Sequence, residues 1–111
     1  VKDVLLNKIS KNLWEVAEDY YYMETFLEKS FKTDGASTPK WIKCAYPSVG
    51  RKYTTPSVLH DKWYFLRIPR KIADLRFYKA CRKFGVSKET SRIFYIAVRK
   101  FGWFSYWKKR K

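Results

Sequence analysis

The chain is 111 residues long, 46% hydrophobic and 20% aromatic, with a formal charge of +15. That is enough apolar material for one packed domain with a single modest core, and it excludes wholesale disorder. No apolar run reaches the roughly 18 residues of a membrane span, and no charged and then apolar leader opens the chain, so neither a transmembrane segment nor a signal peptide is expected.

The charge is segregated. Residues 1–34 carry five lysines against seven carboxylates, whereas residues 35–111 carry 20 basic residues against three acidic ones. Such a field attracts polyanions, which makes an anionic phospholipid membrane and nucleic acid the two partner classes to weigh. Cys44 and Cys81 lie far apart with no CxxC spacing, so no disulfide framework is expected. With one histidine they also leave a tetrahedral zinc site short of a ligand.

Residues 12–33 are rich in aromatic and β-branched residues, and "LWEVA" and "FLEKSF" read as strands of a small antiparallel sheet. Residues 34–54 read as loop and short helix: "DGASTP" is a turn, Pro39 opens "PKWIKCAY", and "PSVGRKYTTP" connects onward. Three helices follow over 55–103. The first spans about Thr55 to Leu66 with Pro56 near its first position. The second runs from about Pro69 to Phe84 and stops at Gly85. The third is capped by Ser87, carries Glu89 in its first turn, and is interrupted at Gly102. Residues 104–111 form a basic-aromatic tail. The expected fold class is α+β: a short N-terminal antiparallel sheet, then an antiparallel helix pair and a third long helix, in one domain over 1–111.

The only histidine, His60, stands in "PSVLHDKWYF" beside Asp61. The first two helices are joined by a tight connection near Arg67, so they are antiparallel neighbours. Positions 60 and 74 are equally far from that fold-back, which sets His60 opposite Asp74. Asp74 shares a face with Phe77, Tyr78 and Cys81, where an unpaired carboxylate is costly. The spacing therefore predicts a His60–Asp74 dyad, with Tyr64 one turn beyond His60 as a third member. Such a dyad suits a general base that takes a proton from water. It also suits a satisfied polar contact in the core. Asp61 points about 100° away around the helix and reads instead as one hard oxygen ligand for a cation.

"HDKWY" followed by "ADLRF" resembles secreted phospholipase A₂, with His-Asp-x-x-Tyr on one long helix and an aspartate on its antiparallel partner. The resemblance implies His60 as the base, Tyr64 and Asp74 as its supports, and Asp61 as a calcium ligand. The glycine-rich calcium loop and the dense disulfides of that family are missing. A second resemblance runs from about residue 31 to 103. "FKTDGASTPKW", "PSVLHDKWY", "RKIADLRFYKACRKFGV" and "AVRKFGW" are similar to a family of small, uncharacterised bacteriophage and prophage proteins annotated only as a domain of unknown function. It implies a phage or prophage source, located in host cytoplasm or virion. It also draws Asp34, as a second candidate calcium ligand, and Ser37 toward the His60 pocket, either as ligands and oxyanion donors or as a plain Asx-type turn.

Rival classes are a nucleic-acid or membrane-binding module and a virion or tail component in contact with other virion proteins. Arg70, Lys71, Arg82, Trp103, Trp107, Lys108 and Lys109 form the expected basic-aromatic surface, where rings stack or sit at an interface and cations meet phosphates. An HD-type metal phosphohydrolase needs several histidines, and no GxSxG, GxxxxGKS or HExxH occurs. The reading is a phospholipase-like hydrolase acting at an anionic membrane surface, or an inactive descendant of one.

Overall fold

The computed structural model describes residues 2–10, 13–22, 24–33 and 50–108, the side chains of 50, 51 and 101–108 excepted. The fold is α+β. Five short strands, β1 (Leu6–Ser10), β2 (Leu13–Val16), β3 (Tyr20–Tyr22), β4 (Thr25–Leu27) and β5 (Lys32–Thr33), precede a 3₁₀ turn (Gly50–Tyr53). Three helices follow: α1 (Thr54–Phe65), α2 (Arg70–Lys83) and α3 (Lys88–Lys108). The strands make a three-stranded sheet in the order β1-β2-β5 and a separate β3-β4 hairpin, with antiparallel pairing in both.

The N-terminal half is more finely divided than its pattern suggests. β1 was not expected as a strand because four of its five residues are exposed, which leaves no buried alternation to read. The expected strand "FLEKSF" is split: β4 ends at Leu27, and the chain turns through Ser30 at φ 74° before β5. Two hydrogen bonds fix that turn, Lys29 N–H to Asp19 Oδ1 at 2.8 Å and Ser30 N–H to the Val16 carbonyl at 2.8 Å. Asp19 is the acceptor that holds the turn.

The helical half follows its punctuation closely. α1 starts one residue before the expected position, so Pro56 is the third helical residue, still in the turn whose N–H groups lack intrahelical partners. α2 ends in a Schellman motif: Val86 N–H reaches Cys81 O at 2.9 Å, Gly85 N–H reaches Arg82 O at 3.2 Å, and Gly85 sits at φ 97°. The α1–α2 corner repeats this geometry with Arg67 at φ 64°. Ser87 caps α3, its hydroxyl oxygen accepting the Thr90 N–H at 3.2 Å. One expectation fails: α3 continues through Gly102 to Lys108, so no break separates a tail from the helix. A single interior glycine costs only about 1 kcal/mol relative to alanine, too little by itself to end a helix.

The core is one cluster. Val58, Leu59, Trp63 and Tyr64 of α1 pack on Ala73, Phe77, Ala80 and Cys81 of α2 and on Phe94 of α3, with Val16, Leu27 and Phe31 closing it from the N-terminal half. Polar ties join the halves. Trp63 Nε1–H donates to Thr25 Oγ1 at 2.8 Å. Thr55 Oγ1 accepts the Val4 N–H at 3.2 Å and donates to Asp3 Oδ1 at 2.9 Å. The turn "DGASTP", the expected short helix "PKWIKCAY", Asp34, Ser37, Cys44 and Lys109 lie outside the described residues.

Candidate functional site

Asp74 is the centre of the site. It lies on the inner face of α2, fully buried between Ala73 and Phe77 in a helix otherwise crowded with cations. A carboxylate there needs donors, and three elements supply them. From α1, His60 Nε2 stands 2.7 Å from Asp74 Oδ1, and Tyr64 O–H donates to the same oxygen at 2.5 Å. From α3, Arg99 Nη1–H donates to Oδ2 at 3.0 Å. Arg70, one turn before Asp74 on α2, brings a guanidinium nitrogen to 3.9 Å from Oδ2.

The protonation states follow from this arrangement. Burial pushes the Asp74 carboxyl up, but the hydrogen bonds from His60 and Tyr64, the His60 charge and the Arg99 hydrogen bond outweigh it and hold the group below the ordinary carboxylate range. Asp74 is therefore an acceptor at neutral pH, and the nitrogen facing it, His60 Nε2, carries a proton. Burial raises the Tyr64 hydroxyl far above its ordinary range, and its bond to Asp74 adds to the effect. Tyr64 is thus a fixed donor. The His60 ring packs between Tyr64 and Phe77, centroids 4.2 and 4.8 Å away, and its side chain keeps 13% exposure. The imidazole is oriented on one edge by a carboxylate and on its faces by two rings.

The fold-back argument brings His60, Tyr64 and Asp74 together as expected. Arg99 was missed, although the same argument applied to the next turn finds it. Tyr78 and Tyr95 meet edge to face at 6.2 Å, equally far from the α2–α3 turn, and residues 74 and 99 are equally far from it too. Arg70 is a correction: expected on the basic-aromatic surface, it is half-buried and donates to the Val98 and Arg99 carbonyls at 3.0 and 2.8 Å. It sits in the first turn of α2, where the antiparallel α3 passes close enough to take the guanidinium. Lys71 and Arg82 are exposed, with Arg82 reaching back to the Val86 carbonyl at 3.1 Å. Trp103, Trp107 and Lys108 fall in the last turns of α3, and their side chains lie outside the described residues.

Asp61 is buried in α1, 7% exposed. Among the described residues no three His, Cys, Asp or Glu side chains stand together to hold a metal ion. Calcium takes roughly six to eight oxygen ligands. Asp61 supplies one such oxygen, and Asp34, the other candidate ligand, lies outside the described residues. Among the described residues, no helix is long and apolar enough to cross a membrane.

No curated protein and no solved structure matches the chain. One family model does, described as "Protein of unknown function (DUF1353)", over residues 14–98, a span that contains His60, Tyr64 and Asp74 and ends just short of Arg99. With most of its length inside that match, the chain belongs to this family of unknown function.

Proposed function

We propose that the protein is a phospholipase-like hydrolase in which His60 activates water. The observation that carries the reading is the 2.7 Å contact between His60 Nε2 and the buried Asp74 carboxylate. With Nε2 bearing the proton held by Asp74, Nδ1 is the nitrogen that takes a proton from water. The water oxygen then attacks the ester carbonyl, and the imidazolium formed is stabilised by Asp74 across the ring. Collapse of the tetrahedral intermediate breaks the bond to the alcohol, and the imidazolium returns its proton to that leaving oxygen. Tyr64 and Arg99 hold the carboxylate in place and ionised throughout. The excess of positive charge after residue 34 favours an ester carried on an anionic phospholipid surface. A phage or prophage source, implied by the motif resemblance, places such an activity against a host membrane.

The test is release of fatty acid from anionic vesicles by the wild type and by His60→Ala, each with and without calcium. The wild type releases fatty acid and the variant does not; a requirement for calcium would bring Asp61 and Asp34 in as ligands. Equal, background-level release from both overturns the enzymatic reading. Vesicle binding without release would leave a membrane-binding module, and incorporation into assembled virions would leave a structural component.

A further inference from the structure

Six of the fourteen residues of α2 are Arg or Lys, and its one carboxylate, Asp74, is turned inward. Arg76, Lys79, Arg82 and Lys83 are exposed on the outer side, and Lys88 stands exposed just beyond the turn. Among the described residues none of these five takes part in an ion pair. Among the described residues no carboxylate compensates this row, so it attracts an anion, although Arg82 also donates to the Val86 carbonyl and Arg76 lies over the Trp63 ring.

Two concavities flank the row and share Lys79. One, of 210 Å³, lies between α2 and the β3–β4 hairpin. Its walls include Tyr22 and Trp63, with Arg76 and Lys79 on one side and Glu24 on the other. The Trp63 N–H is already satisfied by Thr25, the residue is 2% exposed and the Arg76 guanidinium lies 5.8 Å from its ring, so the indole forms the floor of the pocket and the half-buried Tyr22 is the ring open to a base. The second concavity, of 490 Å³, is shallow and lined by Tyr78, Lys79, Arg82, Lys83 and Lys88.

We infer that this outer face of α2 binds single-stranded nucleic acid, with one base in the Tyr22–Trp63 pocket and the adjoining phosphates along Lys79, Arg82, Lys83 and Lys88. Lys79 and Lys83 are one turn apart, about 6 Å along the axis, close enough to serve successive phosphates of one strand. A pocket with aromatic walls at the end of a cationic groove is what base stacking with phosphate neutralisation requires. Glu24 keeps a phosphate out of that pocket and supplies an acceptor for an exocyclic amine of a base. A duplex keeps its bases stacked inside and cannot fill the pocket, and a bilayer surface would span it. The His60 dyad is on the opposite, inner side of α2, so this binding is separate from the proposed hydrolysis and stands or falls without it.

The experiment is a fluorescence anisotropy titration of a labelled mixed-sequence single strand over a series of salt concentrations, with folding of each variant checked by circular dichroism. The wild type binds, and its affinity falls steeply with salt. The double variant Lys79→Gln/Arg82→Gln loses two phosphate contacts, which flattens the log–log salt slope by about 1.4. Tyr22→Ala weakens binding about tenfold with the slope unchanged, as expected for loss of stacking on one base. Three results each overturn the inference: no binding at low salt, an unaltered slope in the double variant, or phosphatidylglycerol vesicle capture that is tighter than strand binding and is lost in the double variant. Equal competition by inorganic polyphosphate, with Tyr22→Ala silent, also overturns it, because the face would then read charge alone.

Discussion

Replacing Asp74 by Asn tests the centre of the site while keeping its shape. Removing one partner of a buried ion pair costs about 3–5 kcal/mol. Two features pull the expected loss toward the lower end. The Arg99 side chain is 35% exposed and can turn its charge to water. His60, 13% exposed, still reaches water. What remains is the loss of charge-assisted bonds from His60, Tyr64 and Arg99, so the expectation is about 3 kcal/mol. At roughly 4 °C or more per kcal/mol for a domain of this size, the melting temperature falls by at least about 12 °C. The loss depends on pH with a definite sign. The Asp74 pKa is lowered in the fold, so its stabilisation is complete above the unfolded carboxylate pKa of about 3.9 and fades as the pH falls through the folded value. The assay is urea unfolding of wild type and Asp74→Asn from neutral pH downward. The gap between them is widest at neutral pH and closes on acidification. A gap under about 1 kcal/mol at neutral pH, or one constant down to the acid limit, would refute the reasoning.

Tyr64→Phe removes one donor from the same carboxylate, so about 1.5 kcal/mol is lost and the Asp74 carboxyl titrates at higher pH, readable by carboxyl-carbon NMR. Ser30 and Gly85 both hold left-handed backbone, at φ 74° and 97°, and predict opposite signs. In urea titrations Ser30→Gly stabilises by up to about 1 kcal/mol and Gly85→Ala destabilises by a similar amount. A Cβ at Gly85 would meet Lys52 side-chain carbons at 3.5 Å, an ordinary contact, so the Gly85→Ala cost is conformational rather than steric. The Cys81 thiol is fully buried, and burial pushes its pKa up to about 12. In mildly alkaline buffer, maleimide labels Cys81 only once the protein unfolds, as read by mass spectrometry of that residue's peptide.

The helical half was legible because its signals are local and strong. Gly85, Ser87 and the run "IPRK" mark helix ends by backbone chemistry that tertiary context did not override. Antiparallel pairing then fixed which residues meet, and that placed Asp74 opposite His60. The same symmetry, taken about the α2–α3 turn, places Arg99 opposite Asp74. The strands were less legible. β1 is an edge strand with little buried surface, and the β4–β5 turn depends on Asp19, ten residues from its partner Lys29, a contact no window of hydrophobic periodicity contains. Gly102 was read as a break because glycine ends α2 at Gly85. The two differ in backbone: Gly85 is used at positive φ, whereas Gly102 lies within the continuous helix of α3.

α2 carries its charges on two separated faces, and that separation explains both its packing and its chemistry. Its only carboxylate is inside, where it is met by donors from α1 and α3, and most of its cations are outside. His60 and Tyr64 reach Asp74 from successive turns of one helix face. A one-residue slip of α1 would rotate both by about 100° and strand the carboxylate without them. The network therefore fixes the register of α1 on α2, whatever reaction it serves. Arg99 fixes α3 in the same way, through a bond across 25 residues of sequence. Buried polar groups that set register tolerate little change in any one member, because each leaves the others unsatisfied. His60 keeps 13% of its side chain exposed while its Nε2 is held. The proposed chemistry rests on His60 among them, so loss of fold and loss of chemistry can be separated there.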